Sequence, residues 1–219
     1  MTTSRKESQA WSVLIVSTLA FTVCFMVWMM FGVIGIPIKK MLNLNATEFG
    51  LLTATPVLSG SLIRVPLGIW TDKYGGRIVM TILMALTVPA IWLMSYATVY
   101  WHFLVIGLFV GLAGGSFSVG TPYVARWFPK GKQGMAMGVY GAGNSGSAVN
   151  KFIAPALLVS FGWAVVPQVY AAVMLGTVVL FWFFSYSDPT HLVATNVTFS
   201  EQLKALKDPK VVKYCQYYS

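Results

Sequence analysis

Two positively charged side chains interrupt long apolar runs of this sequence. Arg64 lies within SGSLIRVPLG, and Lys151 lies within SAVNKFIAPAL. A charged side chain at the centre of a membrane span costs about 2.5–3.5 kcal/mol on insertion scales, and most such residues face a cavity or a partner. The guanidinium of Arg64 offers a planar fork of donors that suits a small planar oxyanion. The ammonium of Lys151 is a point charge that can lose its proton on burial.

Neither cation has an acidic partner inside the apolar runs. The acids nearest to Arg64 along the chain, Glu48 and Asp72, fall at the two ends of its run. An anionic ligand is therefore a natural counter-charge for both cations. Two other arrangements stay open: Arg64 pairs with an acid elsewhere in a longer protein, and Lys151 extends to the membrane surface or bonds backbone carbonyls.

A glycine-dense stretch, GVYGAGNSG, occupies residues 138–146. Its Gly141, Gly143 and Gly146 match the G-x-G-x-x-G pattern of dinucleotide-binding folds, but that pattern requires a preceding strand and an acid about 20 residues later. A charged loop precedes this stretch instead, and no acid follows it before Asp188. We therefore set the nucleotide interpretation aside and predict close helix packing, because small residues spaced four apart let helix backbones approach. The predicted small-residue ridges are Gly134, Gly138 and Gly141 or Ala142 in one run, and Gly107, Gly111 and Gly115 in another.

Asn144 stands among these glycines, and helix packing alone does not explain it. A side-chain amide away from bulk water needs hydrogen-bond partners. It either bonds a neighbouring helix or lines a substrate path, where the adjacent glycines would bring backbone amides close to a small ligand. Asn144 and Lys151 are seven residues apart, which is about two helical turns, so both are expected on one face.

The composition places these residues in a membrane protein. The chain of 219 residues is 57% hydrophobic and 10% charged, whereas a soluble domain carries about 25% charged residues. A spanning helix needs about 20 mainly apolar residues, and strands are excluded because the runs are long and do not alternate. The sequence predicts an all-α integral membrane protein with six transmembrane helices, near 11–37, 48–70, 78–97, 101–125, 134–160 and 163–186.

The basic residues indicate how the spans are oriented. The net charge of +9 arises mostly from residues between apolar runs, which favours loops facing anionic lipid and argues against a nucleic-acid partner. Lysines and arginines precede the first run and follow the second, fourth and sixth, so the positive-inside rule places both ends in the cytoplasm. We predict a six-helix bundle at 1–187 and a lysine-rich cytoplasmic linker at 188–219, which together form half of a twelve-span protein.

The segment after the second run carries a loop motif. Residues 68–77, GIWTDKYGGR, resemble the G-x-x-x-D-(R/K)-x-G-R-(R/K) motif between the second and third helices of the major facilitator superfamily. The resemblance implies that this loop brackets helix ends and gates the change between inward-open and outward-open states. It includes a glycine pair where the motif has one glycine. The residues that carry it are Gly68, Asp72, Lys73, Gly76 and Arg77.

Three stretches, at 51–68, 126–138 and 141–157, resemble the nitrate/nitrite porter family within that superfamily. The resemblance implies that Arg64 is the helix-two arginine that grips nitrate and that Phe117 is an aromatic residue that sandwiches the planar anion. Lys151 departs from this pattern, which has a neutral residue there, and we keep it as a substrate-binding candidate. The family's second arginine lies in the other six-helix half, which is therefore expected to be required. The residues matching the helix-five nitrate signature are Gly141, Gly143, Asn144 and Gly146.

Together these features predict a secondary active transporter that moves nitrate or nitrite across the cytoplasmic membrane by alternating access. Proton-coupled uptake and nitrate/nitrite exchange both stay open, as does the preference between the two anions. The sequence shows no nucleophile–base pair or metal-ligand cluster, so we predict no enzyme activity, cofactor or metal. The alternatives are a facilitator porter for another small anion and a non-transporting membrane sensor.

Overall fold

The computed structural model describes residues 3–187, with side chains from residue 6 onward. All regular structure within these residues is helical, as expected where lipid cannot satisfy backbone polar groups. The predicted linker at 188–219 lies outside the described residues. The helices are α1 (Thr3–Trp28), α2 (Phe31–Met41), α3 (Ala46–Leu62), α4 (Arg64–Tyr74), α5 (Gly76–Met94), α6 (Tyr100–Gly111), α7 (Ser116–Ala125), α8 (Gln133–Gly141), α9 (Gly146–Phe161) and α10 (Val165–Phe184).

Five helical segments within the described residues are long and apolar enough to cross a membrane. The prediction of an all-helical, multi-pass membrane protein is confirmed, whereas the count of six is approximate. The predicted span at 134–160 is helical over α8, a 3₁₀ turn and α9, but its glycine, serine, asparagine and lysine residues lower its hydropathy. The five segments are Lys6–Met41, Ala46–Tyr74, Gly76–Met94, Tyr100–Ala125 and Val165–Phe184.

The turn between α2 and α3 has well-defined helix ends. α2 continues past the predicted boundary at residue 37 to Met41, and Asn43 then takes a left-handed conformation, with φ of 50°. Asn45 caps α3, because its side chain accepts a hydrogen bond from the Glu48 N–H while the Glu48 carboxylate accepts one from the Asn45 N–H, both at 2.9 Å. This reciprocal capping box satisfies two otherwise unpaired backbone donors.

The first span, α1–α2, lies at the centre of the bundle. In an apolar 18-residue stretch of this span, 61% of the residues are buried, whereas only 22% are buried in the corresponding stretch of the second span, α3–α4. Large apolar side chains such as Phe152, Val159 and Phe183 are instead exposed on the outside of the bundle. An apolar exterior of this extent suits a surface that contacts lipid or another membrane segment.

Four spans are interrupted near their middle within the described residues. α1 and α2 meet at a turn at Met29–Met30, and α3 and α4 meet at Ile63. The span Tyr100–Ala125 contains the 3₁₀ segment Leu112–Gly115, and the predicted span at 134–160 contains the 3₁₀ segment Ala142–Ser145. A 3₁₀ stretch inside a longer helix often marks a hinge or a functional site, so these interruptions mark the level of a candidate ligand site.

Side chains from three other helices bind carbonyl groups at the end of α10 and directly after it. The Ser12 hydroxyl donates to the Phe184 carbonyl at 2.7 Å, and the Arg77 guanidinium donates to the Trp182 carbonyl at 2.7 Å. The Tyr123 hydroxyl donates to a carbonyl of the following segment, that of Tyr186. The final carbonyls of a helix have no partner within that helix, so this arrangement ties the end of α10 to α1, α5 and α7.

Candidate anion-binding site

Arg64 begins α4, directly after the interruption at Ile63. Its side chain is exposed, and no ion pair within residues 3–187 involves it. The guanidinium carbon lies 6.0 Å from the ring centroid of Trp28, at the limit of a cation–π contact. A permanently charged group in an apolar span, with an aromatic neighbour and no carboxylate partner in this part of the chain, suits an anionic ligand.

Trp28 is fixed in position from two sides. Its indole N–H donates to the Pro56 carbonyl at 2.9 Å. A Cβ atom added at Gly60 would lie 2.9 Å from the indole nitrogen, and one added at Gly114 would lie 2.7 Å from the ring. Both distances are shorter than a normal van der Waals contact, so these two positions need glycine for the ring to lie where it does.

Phe117 belongs to a row of aromatic rings. Its ring centroid lies 5.5 Å from that of Phe21, and Phe21 stacks on Tyr140 at 5.0 Å. Phe25 continues the row, at 5.7 Å from Phe21 and 5.4 Å from Trp28. These five residues, which we call the aromatic row, connect the predicted ring to the neighbour of Arg64.

The sequence prediction missed most of the aromatic row. Phe21, Phe25 and Trp28 recur at a spacing of four and three residues along α1, which places them on one face of the helix. This spacing can be read from the sequence, but aromatic residues at helical spacing are common in any buried helix. Only the contacts with Phe117 distinguish this stripe from ordinary core packing.

Gly143 and Gly146 of the helix-five signature pack against α1. A Cβ atom on Gly143 would overlap the Phe21 ring, and one on Gly146 would overlap the Thr22 carbonyl oxygen and lie 3.0 Å from the Met26 nitrogen. A Cβ at Gly134, Gly138 or Gly141 would meet nothing within 4 Å. The close packing predicted for this run is therefore carried by other glycines than the predicted ridge, whereas Gly107, Gly111 and Gly115 do contact neighbouring helices.

Asn144 is exposed and is satisfied within its own turn. Its side-chain N–H donates to the Gly141 carbonyl at 2.8 Å. The bond to a neighbouring helix, one of the two predicted alternatives, is therefore not formed here. Lys151 is also exposed, and no ion pair among the described residues involves it. Both side chains remain accessible to a ligand or to another segment of the protein.

Asn150 is the buried amide of this region, and the sequence prediction missed it. It is only 2% exposed. Its side-chain N–H donates to the Met29 carbonyl at 3.0 Å, and its carbonyl oxygen accepts from the Tyr170 hydroxyl at 2.8 Å. Asn150 follows Gly143 by seven residues and Gly146 by four, so periodicity places it on the face that packs against α1.

The loop motif connects three helix ends. Asp72, at the end of α4, forms an ion pair with Arg126, which follows α7. Gly75 has a φ of 86°, where glycine is favoured, and Gly76 packs so closely on Tyr123 that a Cβ there would overlap its side chain.

The motif's other basic residues lie against aromatic rings. Arg77 donates to the Trp182 carbonyl and stacks over the Trp182 ring, with 4.5 Å between the guanidinium carbon and the centroid. The Lys73 ammonium lies 5.2 Å from the centroid of the Tyr74 ring. A Cβ at Gly68 would meet nothing within 4 Å, so no contact explains that glycine.

The family model described as Major Facilitator Superfamily matches residues 16–214. The chain belongs to the major facilitator superfamily. A solved structure also shares the fold: a bacterial homologue of the human lysosomal transporter Spinster, in an inward-facing and unoccupied conformation, aligns with a TM-score of 0.73. That alignment has 18% sequence identity and covers 83% of this chain and 44% of the other, so it supports the fold alone.

Curated relatives resemble this chain more closely in sequence. It is 39% identical to a probable nitrate/nitrite antiporter NarK1 of Thermus thermophilus, over 94% of this chain and 49% of the relative. It is 33% identical to a nitrite extrusion protein of Bacillus subtilis, over 86% and 47%. It is 31% identical to a probable nitrate transporter NarT of Staphylococcus carnosus, over 89% and 50%. The chain thus spans about half the length of the curated relatives it matches.

Proposed function

We propose that this chain forms the N-terminal six-helix half of a nitrate/nitrite porter, a transport protein and not an enzyme. The observation that carries the proposal is Arg64, an exposed guanidinium within an apolar span that no carboxylate of residues 3–187 neutralises. The names of the relatives from Thermus, Bacillus and Staphylococcus support nitrate and nitrite as the anions. Because the chain covers about half of those relatives, a second six-helix half is expected to complete the site.

Nitrate and nitrite are small planar anions, and the residue types of the predicted site suit that shape. The guanidinium of Arg64 would bind two oxygen atoms through parallel N–H donors, while the face of the Phe117 ring would cover the plane of the anion. Asn144 would donate its amide, and Gly141 leaves the backbone open to close approach. Lys151 would add a second positive charge. Gly143 and Gly146 would hold the 3₁₀ turn and the start of α9 against α1.

The loop motif would control the change of access. Asp72 ties the second span to the fourth through Arg126, and Arg77 ties the third span to the sixth through the Trp182 carbonyl. Rocking of one half of a transporter against the other requires each half to move largely as a rigid body. We propose that Gly68, Asp72, Lys73, Gly76 and Arg77 supply this rigidity at the gate.

The proposed location is the cytoplasmic membrane, with the N-terminus in the cytoplasm. The distribution of lysine and arginine supports this orientation. Nitrate/nitrite exchange is the mode we favour, because the Thermus relative is named an antiporter. Exchange of two monovalent anions moves no net charge, whereas anion uptake alone opposes an inside-negative potential by about 2.3 kcal/mol per charge per 100 mV. Proton-coupled uptake is the second candidate.

The test is nitrate and nitrite flux in proteoliposomes. The complete reading frame that contains this chain would be compared with its Arg64→Lys variant, and also with the 219-residue chain alone. We expect flux from the complete protein, no flux from the short chain, and a loss of at least tenfold in Arg64→Lys, since an ammonium cannot bind bidentately. Lys40→Gln, which removes an exposed charge at the end of α2, is the control and is expected to keep its flux.

Four outcomes would count against the proposal or against its transport mode. Equal flux with lysine at position 64 would make Arg64 a structural charge. Flux of another small anion but not of nitrate or nitrite would keep the superfamily and change the substrate. Tight anion binding without any flux would favour a membrane sensor. Proton movement coupled to nitrate uptake, with no dependence on internal nitrite, would replace exchange by proton-coupled uptake.

A further inference from the structure

A buried amide connects three helical segments at the centre of this bundle. Asn150 of α9 donates to the Met29 carbonyl between α1 and α2, and it accepts from the Tyr170 hydroxyl of α10. Asn150 is 2% exposed and Tyr170 is fully buried. Both polar groups are therefore satisfied by each other and by the backbone of the first span.

The position of this bond matters because the backbone of the first span is irregular there. The Met30 N–H bonds the Val27 carbonyl, and the Gly32 N–H bonds the Met29 carbonyl, both across three residues and at 3.1 Å. Tight bonds of this kind replace the regular four-residue ladder. The Met29 carbonyl thus accepts one bond from the Gly32 N–H and a second from Asn150.

Met29 directly follows Trp28, the aromatic neighbour of Arg64. The Trp28 indole bonds Pro56 in the second span, and its ring lies 6.0 Å from the Arg64 guanidinium carbon. A shift or rotation of the chain at Met29 would carry the Trp28 ring with it. A continuous set of contacts therefore runs from Tyr170 through Asn150 and the backbone at Met29 to the Trp28 ring beside Arg64.

We propose that Asn150 is a positioning residue for the anion site: it holds the interruption between α1 and α2 so that Trp28 faces Arg64. Asn150 does not touch the anion in this proposal, and Tyr170 orients the amide. The inference rests on the proposed function, because it assigns Asn150 to the site in which Arg64 binds nitrate. It predicts that two residues outside the proposed site change anion affinity.

The first experiment measures nitrate binding to the purified complete protein by calorimetry. Asn150→Leu keeps the branched arrangement of side-chain heavy atoms and removes both hydrogen bonds, and Tyr170→Phe removes only the bond that orients the amide. Loss of a buried hydrogen bond that leaves its partner unpaired corresponds to about a tenfold change in an equilibrium constant. We expect the nitrate Kd to rise about tenfold in Asn150→Leu and about threefold in Tyr170→Phe. The double variant should resemble Asn150→Leu, because the two residues act as one unit.

Thr177→Val is the matched control for a purely structural effect. Thr177 lies in α10 like Tyr170 and is 5% exposed, but its hydroxyl donates to Val173 within the same helix at 2.8 Å. It should lower thermal stability slightly and leave the nitrate Kd unchanged. An unchanged Kd in Asn150→Leu, or an equal rise in Thr177→Val, would overturn the positioning role.

Hydrogen exchange of the peptide covering residues 25–34 gives a readout that does not depend on nitrate. We expect faster exchange of this peptide in Asn150→Leu than in the parent protein, with no matching change in Thr177→Val. If the parent protein does not bind nitrate or nitrite, the proposed function fails, and the exchange result still shows whether Asn150 holds the interruption. Unchanged exchange in Asn150→Leu would overturn the inference even where nitrate binding is intact.

Discussion

At the scale of single residues, the site depends on how Trp28 is held beside Arg64. The indole N–H bonds Pro56, and glycines at positions 60 and 114 make room for the ring. An interhelical hydrogen bond in a membrane contributes about 0.6 kcal/mol on average and about 1.7 kcal/mol at most. The bond to Pro56 is therefore a small part of the stability of the bundle, but it fixes the orientation of one ring.

Trp28→Phe tests this orientation directly. Phenylalanine keeps an aromatic ring and removes the indole N–H, so the bond to Pro56 is lost and a gap opens beside Gly60 and Gly114. We expect nitrate affinity to fall about threefold to tenfold, in line with the loss of about 1 kcal/mol of positioning interactions. Nitrate binding should be measured by calorimetry and not by intrinsic tryptophan fluorescence, because the substitution removes a tryptophan.

The control for this substitution is Trp92→Phe. Trp92 is 45% exposed on α5 and lies outside the proposed site. Its variant should bind nitrate like the parent protein. Equal losses of affinity in the two variants would show that the effect is general to tryptophan removal, and a parent-like Kd in Trp28→Phe would remove Trp28 from the site.

At the scale of helices, the sequence predicts the runs well and their interruptions poorly. Run length and apolarity are local properties, so the spans near 101–125 and 163–186 agree closely with the structure. The turn at Met29–Met30 has no glycine or proline at the break itself. Its position depends on contacts with Asn150 and the second span, and these are invisible in a single sequence.

The same distinction applies to the residues of the site. Arg64 could be found because a charge in an apolar run is conspicuous by itself. Asn150 was overlooked beside Lys151, although the lysine is exposed and the asparagine is buried. The aromatic row joins α1 to two later helices, so only tertiary packing identifies its members as one group.

Gly146→Ala tests the packing of α9 on α1. The new methyl group would meet the Thr22 carbonyl and the Met26 nitrogen, and these backbone atoms cannot rotate away as a side chain can. Overpacking of this kind typically costs about 1–3 kcal/mol. We expect a lower thermal unfolding temperature for the detergent-solubilised complete protein, together with reduced nitrate flux.

Gly138→Ala supplies the comparison within the same span. A Cβ there meets nothing within 4 Å, and alanine favours a helix over glycine by about 0.8–1.0 kcal/mol. Its unfolding temperature should stay the same or rise. Destabilisation of both variants to the same degree would mean that the contact with α1 is not the reason for glycine at 146.

At the scale of the whole molecule, the loop motif joins helices that the proposed rocking movement must keep together. The ion pair between Asp72 and Arg126 connects the ends of α4 and α7, and Arg77 of α5 reaches the end of α10. These bonds lie apart from Arg64 and the aromatic row. Binding and movement should therefore be separable by substitution.

Asp72→Asn is expected to slow transport while leaving binding intact. The amide keeps the shape of the carboxylate but loses the charge that pairs with Arg126. Nitrate flux through the complete protein should fall at least about tenfold, since 1.36 kcal/mol of barrier already gives that factor, whereas the nitrate Kd measured by calorimetry should change less than twofold. A parallel loss of affinity and flux would contradict this separation of roles.

An exposed ion pair of the same bundle provides the reference. The Lys132 ammonium and the Glu7 carboxylate lie 3.5 Å apart, and both side chains are about 60% exposed, at 59% and 62%. Surface pairs of this kind contribute little, so Glu7→Gln should transport nitrate like the parent protein. Slowed flux in Glu7→Gln would indicate that the effect at Asp72 is not specific to the loop motif.

The bond between Ser12 and Phe184 joins residues that are 172 positions apart, and this has a consequence for biosynthesis. A ribosome must complete nearly all of the bundle before that bond can form, so α1 enters the lipid long before its partner in α10 has been made. Until then, a nascent chain at this stage exposes the apolar flank of α1 to bilayer lipid or to an insertion factor. The contact between α1 and α10 is thus expected to form late, when the last helix leaves the translocation channel.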